Sequence, residues 1–418
     1  MSASRSRAHK APARHGDLDR DAARRWLLHT LGLDAPRAQK GSRGVRAMLS
    51  ALRCVQLDPL EPIGSNADLV ALARVDGLAR HDVHTHLTPG HAFEHFAKER
   101  CLLPASAFPY YRDAAVETPW WRSTERMRRV SAALVDEVLA EVRERGPVSA
   151  SELSDRGRVA PLEWDGWKGT SRAGSMALEI LWTQCRIVVA GRDRSRGGKL
   201  YDIPQRALPR THDARPAEPF ARWALKERVA AAGLLCRAAG ATWSMLRDAR
   251  TSGLVDALLD EGAIEEVSIE GGARRYLAPA GFRDVRLGEP DDRLRILGPL
   301  DPVLWDRELV REAFGFDYVW EVYKPAAQRR FGWYVVPLLH RGALVARMEA
   351  RTEDGVLLVE RLWREPDRSL DEDALDAALE RHAEALGCAS VKRGPKARRA
   401  LTPKRARRSP APARRRPS

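Results

Sequence analysis

The chain has few cysteines and no long apolar segment, which excludes several classes of protein. Its 418 residues include five cysteines without a C-x-x-C pair. This scarcity argues against a disulfide framework and a zinc module, and it favours a reducing compartment. No apolar run reaches membrane-spanning length, and the N-terminus lacks the apolar core of a signal peptide. We therefore expect a soluble cytoplasmic protein with no membrane partner.

Acidic residues are missing from both ends of the chain. Residues 1–14 contain four Lys or Arg and residues 392–418 contain twelve, with no acid in either stretch. The two ends thus contribute +4 and +12 to a net charge of +14, which leaves −2 for the body of the chain. Such segments cannot bury enough apolar surface to fold, but they can neutralise phosphates. We predict disordered basic tails over 1–17 and 392–418 that bind nucleic acid; a purely solubilising role is the alternative.

The middle of the chain shows one pattern twice, a set of helices followed by a β-hairpin. The first copy has predicted helices at 131–144, 149–153 and 171–184 and strands at 186–190 and 199–203; the second has helices at 220–238, 242–247 and 251–261 and strands at 264–269 and 274–278. Three helices and a hairpin predict a winged helix. The third helix of such a domain can enter the major groove while the hairpin contacts the backbone.

Arginines concentrate in the first of these two copies. Arg172 precedes its third helix, and Arg192, Arg194 and Arg196 lie in its hairpin turn. These four residues are therefore our candidates for DNA contacts. Winged helices also bind proteins, so a single copy would leave both functions open. Two copies together with basic tails favour nucleic acid.

The last folded section is richer in strand patterns. Four β-runs are predicted at 318–323, 332–339, 343–350 and 355–363, followed by a helix at 372–386. They predict a small antiparallel β-barrel or curled sheet. Lys324, Arg329 and Arg330 lie on a loop between its strands and are further candidates for DNA contacts.

A short stretch at residues 55–59 carries a carboxylate and an amide two positions apart. The spacing of apolar residues over 44–54 predicts a helix that ends directly before this stretch. If the stretch is extended, Gln56 and Asp58 face a common space and form a candidate active site. The alternative is structural, because Asp58 before Pro59, with Glu61 following, is also typical of a helix N-cap.

Five histidines lie close together in the sequence. They are His81, His84, His86, His91 and His95. An H-x-H pair suggests a metal site. However, a Pro-Gly pair interrupts the segment, and no cysteine or acid lies at a recognised ligand spacing. We expect exposed and partly buried imidazoles and no metal; a metal-dependent nuclease is the alternative.

Several motifs in order resemble one family over residues 18–390. They are Gln56-Leu57-Asp58 after a helix, Glu99-Arg100-Cys101-Leu102-Leu103-Pro104, Ala177-Leu178-Glu179 before a wing, and the stretches 300–307, 314–318 and 323–327. The chain resembles the YcaQ-like winged-helix DNA glycosylases, which unhook interstrand crosslinks. The resemblance implies an α+β fold of tandem winged helices followed by a C-terminal β-barrel. The expected domains are a winged-helix-like domain with the catalytic motif at 18–125, a second and a third winged helix at 126–212 and 213–290, and the β-barrel at 291–391.

The resemblance also implies an activity and its residues. Asp58 and Gln56 become catalytic, and Asp58 places the chain in the branch that accepts broader lesions. Asp301, Trp305 and Arg307 join the candidates for DNA contacts. Lys98 is a further candidate, at a position where relatives have His; an amine there could add Schiff-base lyase chemistry, although we expect a simple surface replacement.

The expected reaction is hydrolysis of the N-glycosidic bond of N7-alkylated purines and of crosslinked nucleotides, which leaves an abasic site. The enzyme is expected to be monofunctional and monomeric, to bind double-stranded DNA, to associate with the nucleoid, and to need no cofactor. A carboxylate can stabilise the developing positive charge on the sugar and activate water. The alternative is a winged-helix DNA-binding regulator in which Asp58 only caps a helix.

Overall fold

The N-terminal part of the molecule combines four helices with a small antiparallel sheet. The computed structural model describes residues 17–34, 39–115, 123–162, 169–193 and 198–398. The first elements are α1 Arg20–Thr30, α2 Gly41–Leu52, β1 Val55–Gln56, α3 Asn66–Leu72, α4 Asp82–Leu87, β2 Ala92–Phe96 and β3 Arg100–Pro104. The sheet has the order β1-β3-β2. Residues 92–104 form a β-hairpin, in which β2 pairs with β3 and β3 pairs with the short strand β1.

The second part follows the first predicted repeat closely. Its elements are α5 Phe108–Ala114, α6 Ser123–Met127, α7 Ala132–Arg145, β4 Val148–Ser149, β5 Arg158–Val159, β6 Ser171–Arg172, α8 Ala173–Thr183, β7 Val188–Arg192, β8 Lys199–Asp202 and α9 Pro204–Ala207. Strands β4, β8 and β7 form an antiparallel sheet in that order. The short helix predicted at 149–153 is a turn, in which Glu152 bonds to the backbone N–H of Ser149.

The third part repeats this arrangement of helices and a three-stranded sheet. Its elements are α10 Phe220–Ala232, β9 Leu235–Cys236, α11 Arg247–Thr251, α12 Leu254–Asp260, β10 Ile264–Ser268 and β11 Arg275–Pro279. The sheet has the order β10-β11-β9. The helix predicted at 242–247 is replaced by a 3₁₀ turn, Ala241–Trp243, and by the start of α11. The winged-helix assignment of both repeats and the domain limits stay predictions.

The C-terminal part is an open five-stranded sheet, half of a barrel. Its elements are β12 Arg295–Ile296, α13 Arg307–Phe314, β13 Val335–His340, β14 Ala343–Glu353, β15 Val356–Arg364, α14 Glu372–Ala385, β16 Ser390–Arg393 and α15 Pro395–Arg398. The strand order is β12-β13-β14-β15-β16, and the last pair is parallel. Of the two predicted forms, the curled sheet is confirmed and the complete β-barrel was wrong, because β12 and β16 are opposite edges of the sheet.

Two further expectations fail in this part. Residues 318–323 form no strand; Glu321 instead accepts hydrogen bonds from the backbone N–H groups of Arg330 and Phe331, which ties the segment into a loop. The predicted C-terminal tail begins too early, since β16 and α15 extend the fold to residue 398. The tail residues after 398 lie outside the described residues, as do residues 1–16.

The cores join segments that are far apart in sequence. One core combines α1 to α3 with β10, β11 and α13, and a second combines β2 and β3 with α7 and α8. The indole N–H of Trp26 donates to the carbonyl of Gly233 over 3.0 Å, which fixes α1 against the third part. Within the described ranges, no helix is long and apolar enough to span a membrane. The site described below lies where these segments meet.

Candidate active site

The edge strand β1, Val55–Gln56, follows α2 after a sharp turn. Arg53 ends α2 with φ of 65°, a left-handed conformation that turns the chain out of the helix. Val55 and Gln56 then pair with β3, and the N–H of Leu57 donates to the carbonyl of Arg100 over 2.8 Å. The prediction of an extended stretch is confirmed for these residues, while the apolar side chains of Val55 and Leu57 contact the core.

Asp58 does not cap a helix. The next helix, α3, begins only at Asn66, and Ser65 is its cap. Asp58 accepts one hydrogen bond, from the backbone N–H of Leu60 at 2.9 Å, and forms no salt bridge with any residue that the structure describes. Burial of the half-exposed carboxyl raises its pKa, against the opposing effect of the Leu60 hydrogen bond. The helix-cap interpretation of Asp58 was wrong.

A buried asparagine holds the strand in place. Asn66 is 1% exposed; its amide N–H donates to the carbonyl of Gln56 over 2.8 Å, and its Oδ1 accepts from the N–H of Leu300 at 3.1 Å. A Cβ on Gly298 would lie 2.6 Å from that Oδ1, so the close approach needs glycine. Sequence reasoning missed Asn66, because its partner Leu300 is distant in the chain and no local pattern marks the contact with Gln56.

Lys98 is buried beside Gln56. It lies in the tight turn between β2 and β3, is 7% exposed, and donates from Nζ to Oε1 of Gln56 over 3.0 Å. Its Nζ also lies 5.4 Å from the ring centroid of Trp305. The expectation of a surface replacement was wrong, since the hairpin turns this side chain inward.

The electrostatic surroundings of Lys98 disfavour its charge. Burial of the ammonium group lowers its pKa most strongly, and the cations Arg228 and Arg307 lower it further. Cys101 and Glu99 oppose this change. The net effect is a lowered pKa, so the neutral amine is more populated than in a solvated lysine.

The segment 300–307 and the start of β13 complete the site. Trp305 is 7% exposed and donates from its indole to the carbonyl of Leu300 over 3.0 Å. The Arg307 guanidinium lies 4.4 Å from the ring centroid of Tyr318, and its buried Nη1 has no hydrogen-bond partner in the described structure. Burial raises the pKa of Tyr334, and the charge of Asp58 raises it further, which places the phenol within electrostatic range of that carboxylate.

Asp301 was wrongly predicted to contact DNA. Its side chain is 0% exposed, and its two carboxylate oxygens accept hydrogen bonds from Arg74 at 2.7 and 2.9 Å. Arg74 also donates to the carbonyls of Leu31 and Val70. This ion pair therefore joins α1 and α3 to the segment that carries Trp305 and is a structural contact.

The candidate DNA contacts of the first repeat are held in place by protein groups. Arg172 donates to the carbonyls of Ala150 and Leu153 at 3.1 and 3.2 Å. Arg192 forms a salt bridge with the fully buried carboxylate of Glu94. Both arginines are partly exposed, so neither contact prevents binding to phosphate. Arg194 and Arg196 lie outside the described residues.

The candidates at the other end of the molecule lie on one loop. Lys324 donates to Glu321 over 3.0 Å, Arg329 to the carbonyl of Lys324 over 2.8 Å, and Arg330 pairs with Asp317 at 2.9 Å. On the same loop, Tyr323 is 82% exposed and packs edge-on against Trp320. Sequence reasoning found the cations of this loop and missed its exposed aromatic ring.

The histidines of α4 and β2 have separate partners. His84 lies 4.0 Å from Glu94, whereas Nε2 of His95 lies 3.2 Å from the carbonyl of Thr183. Burial lowers the pKa of each of these two imidazoles to about 4, so both are neutral near pH 7. In the described part of the chain, no group of three or more His, Cys, Asp or Glu could hold a metal ion.

Comparison with known proteins identifies a family and a related fold. The family model for AlkZ-like DNA glycosylases matches residues 49–413. Among solved structures, the chain is similar to the Streptomyces sahachiroi DNA glycosylase AlkZ, with a TM-score of 0.59 and 19% sequence identity. The match covers 90% of this chain and 100% of the other. At this identity the structural likeness establishes a shared mixed α and β fold.

Proposed function

Since the chain belongs to the AlkZ-like DNA glycosylase family, we propose that it hydrolyses the N-glycosidic bond of N7-alkylated purines and unhooks interstrand crosslinks, leaving an abasic site. The observation that carries this proposal is the unpaired, half-buried carboxylate of Asp58 at the end of β1. A charge kept without a counter-ion in a folded protein is disfavoured for stability, so it points to a role in binding or catalysis.

Asp58 serves the step in which positive charge develops. Alkylation at N7 makes the purine a cationic leaving group, so cleavage proceeds through a sugar with oxocarbenium character. An ionised carboxylate stabilises that charge and accepts a proton from the attacking water. Since no salt bridge within the described structure satisfies Asp58, its full negative charge is available to the sugar.

Gln56 positions the reacting groups. Its Oε1 is engaged by Lys98, and its backbone carbonyl is fixed by Asn66. These contacts leave the amide N–H groups of Gln56 to donate to a water oxygen or to the sugar. In an extended chain, side chains two residues apart share a face about 7 Å apart. Gln56 and Asp58 can therefore flank one nucleotide, and water is the nucleophile that replaces the base.

DNA is the partner, and we propose its contacts. Arg307, with a buried unsatisfied Nη1, and Trp305 adjoin the site. Arg172, Arg192, Lys324, Arg329 and Arg330 would contact phosphates further away, since guanidinium and ammonium groups bind phosphate oxygens. The exposed ring of Tyr323 provides a stacking surface on the same loop as three of these cations. A monomeric state and nucleoid association stay predictions.

The proposal that the enzyme unhooks crosslinks depends on how a crosslinked nucleotide can reach Gln56 and Asp58. A base tied to the opposite strand cannot be fully extruded, whereas ordinary glycosylases flip the nucleotide into a pocket. The cavity behind the catalytic strand is lined by Cys54, Phe96, Tyr111 and Trp223, among others, and measures about 30 Å³. Neither Gln56 nor Asp58 lines that cavity. Catalysis at an edge strand, without full extrusion, suits such a lesion.

A gel assay in EDTA tests the proposal. A duplex with one N7-methylguanine and a duplex with one nitrogen-mustard crosslink are incubated with the protein and then treated with alkali. We expect alkali-labile breaks in the first and separation of the strands in the second. Binding without any base release from either duplex would contradict the proposal and favour a DNA-binding regulator. The single-stranded oligonucleotide that contains the same lesion is a control for background depurination.

A further inference from the structure

Lys98 lacks the carboxylate partner that three other lysines in the described part of the chain have. Lys199, Lys226 and Lys324 lie 3.9, 2.6 and 3.0 Å from Glu94, Glu218 and Glu321. Nζ of Lys98 instead contacts the neutral amide of Gln56 and the ring of Trp305, and it forms no salt bridge with the described residues. Holding an ammonium group at 7% exposure without a counter-ion disfavours its charged form.

We propose that Lys98 is a second catalytic residue, the nucleophile of an abasic-site lyase that cuts the DNA strand after the base has been removed. This inference rests on the proposed function, because the abasic site is the product of that reaction. It adds a step that the hydrolysis of the glycosidic bond does not contain.

The position of the amine fits this step. Lys98 donates to the side chain of Gln56, which together with Asp58 is proposed to flank the reacting nucleotide, so the amine is placed beside that sugar. To reach the sugar, the lysine side chain has to release Oε1 of Gln56 and move from the ring of Trp305. The neutral amine, favoured by burial, is the nucleophilic form.

The reaction balances without any co-reactant besides water. The amine nitrogen of Lys98 adds to the aldehyde carbon C1′ of the ring-opened abasic sugar, and loss of water gives a protonated imine. C2′ then loses a proton to solvent, its electron pair forms the C1′–C2′ double bond of an enamine, and the C3′–O bond breaks as the 3′ phosphate departs. Water hydrolyses the resulting unsaturated imine and releases the amine of Lys98.

The test starts from a preformed abasic site, so that it does not depend on base removal. A duplex with one abasic site is incubated with the full-length protein in EDTA, without alkali, and a parallel sample contains sodium borohydride. We expect strand cleavage in the first sample. In the second, borohydride reduces the imine to a stable amine, and we expect a covalent protein–DNA complex with the adduct on the peptide that carries Lys98.

Two variants test whether the amine that forms the imine belongs to Lys98. Lys98→Arg keeps a cationic donor for Gln56 but removes the nucleophile, so we expect loss of the trapped complex. Lys199→Arg is the matched control, because Lys199 is also largely buried with a lowered pKa but has Glu94 as its partner. That variant should trap like the wild type. Mapping of the wild-type adduct answers the same question even if Lys98→Arg fails to fold.

The outcomes separate this inference from the proposed function. Release of N7-methylguanine without cleavage or trapping at the abasic site would overturn the lyase and leave the glycosylase intact. Trapping on Lys98 without any base release would overturn the proposed glycosylase substrate alone. Wild-type trapping by Lys98→Arg, or an adduct on a lysine of the basic tails, would overturn the assignment of Lys98.

Discussion

The tripeptide Leu-Asp-Pro occurs at residues 57–59 and again at residues 300–302, and its two aspartates have opposite environments. Each accepts a hydrogen bond from the backbone N–H two positions on, at 2.9 Å for Asp58 and 3.2 Å for Asp301. Asp301 is fully buried and paired with Arg74 through two hydrogen bonds. Asp58 is half-buried and has no salt bridge in the described structure.

This difference shows what local sequence determines and what the fold adds. The tripeptide specifies the turn, since the aspartate and the following proline favour the same bend at both positions. Residues that are distant in the chain determine whether each carboxylate has a cationic partner, and therefore what its charge does. A buried charge with a partner joins segments, whereas a charge without one is available to a substrate.

The largest effect on stability is expected when the Asp301 pair is broken. Asp301→Asn leaves the Arg74 guanidinium buried and uncompensated, which should cost about 3–5 kcal/mol. The measurement is urea-induced unfolding, followed by tryptophan fluorescence. The double variant Arg74→Met with Asp301→Leu removes both charges and should recover much of the loss. A single variant as stable as the wild type would show that the pair contributes little.

A loss of similar size is expected at the residue that joins the two Leu-Asp-Pro regions. Asn66→Ala leaves the carbonyl of Gln56 and the N–H of Leu300 without partners, at about 1–3 kcal/mol for each buried group. Base release should also slow, because the catalytic strand loses its anchor. Asn66→Asp keeps the acceptor for Leu300 and removes the donor for Gln56. A rate loss in the alanine variant alone would contradict the role given to the Gln56 contact.

The pH dependence of base release should report the environment of Asp58. The carboxylate must be ionised to act, so the rate is lost as pH falls through its pKa. Because burial raises that pKa, the acid limb of single-turnover base release should lie above pH 3.8, the ordinary aspartate value. The residual rate of Asp58→Asn should lack this limb. An acid limb at or below 3.8 would argue against the half-buried carboxylate.

The smallest effect on stability is expected at Asp58 itself. Asp58→Asn breaks no salt bridge described in the structure, and Oδ1 of Asn can still accept from Leu60. Because its folded pKa is raised, Asp58 contributes most to stability at low pH, and that contribution is lost as pH rises. At neutral pH the variant should therefore match the wild type within about 0.5 kcal/mol, or exceed it slightly, in urea-induced unfolding. If Asp58→Asn lowered the free energy of unfolding as much as Asp301→Asn, the proposed difference between the two aspartates would be wrong.

Sequence reasoning found the features that depend on local spacing. Apolar periodicity located α7, α8 and α10, and turn residues separated the strand pairs β7–β8 and β10–β11. The extended conformation of Val55 and Gln56 followed from the helix before it and the proline after it. These signals lie within a few residues of the elements they specify, so they can be read without the fold.

The features that define the candidate site depend on contacts between distant segments. The burial of Lys98 requires the β2–β3 hairpin, whose strands pair with each other and with β1. The anchor at Asn66 and the Arg74–Asp301 pair join residues that are more than two hundred positions apart. The open edge of the C-terminal sheet likewise depends on which strands pair. Tertiary packing determines each of these, so no local pattern could predict them.

The most direct test compares the two aspartates in one measurement. Single-turnover release of N7-methylguanine, in EDTA with excess enzyme, is measured for Asp58→Asn and Asp301→Asn at a temperature where circular dichroism shows both to be folded. We predict that Asp58→Asn slows base release by about 10²–10⁴-fold, while folded Asp301→Asn stays near the wild-type rate. Base release by Asp58→Asn at the wild-type rate would contradict the assignment of Asp58 as the catalytic carboxylate.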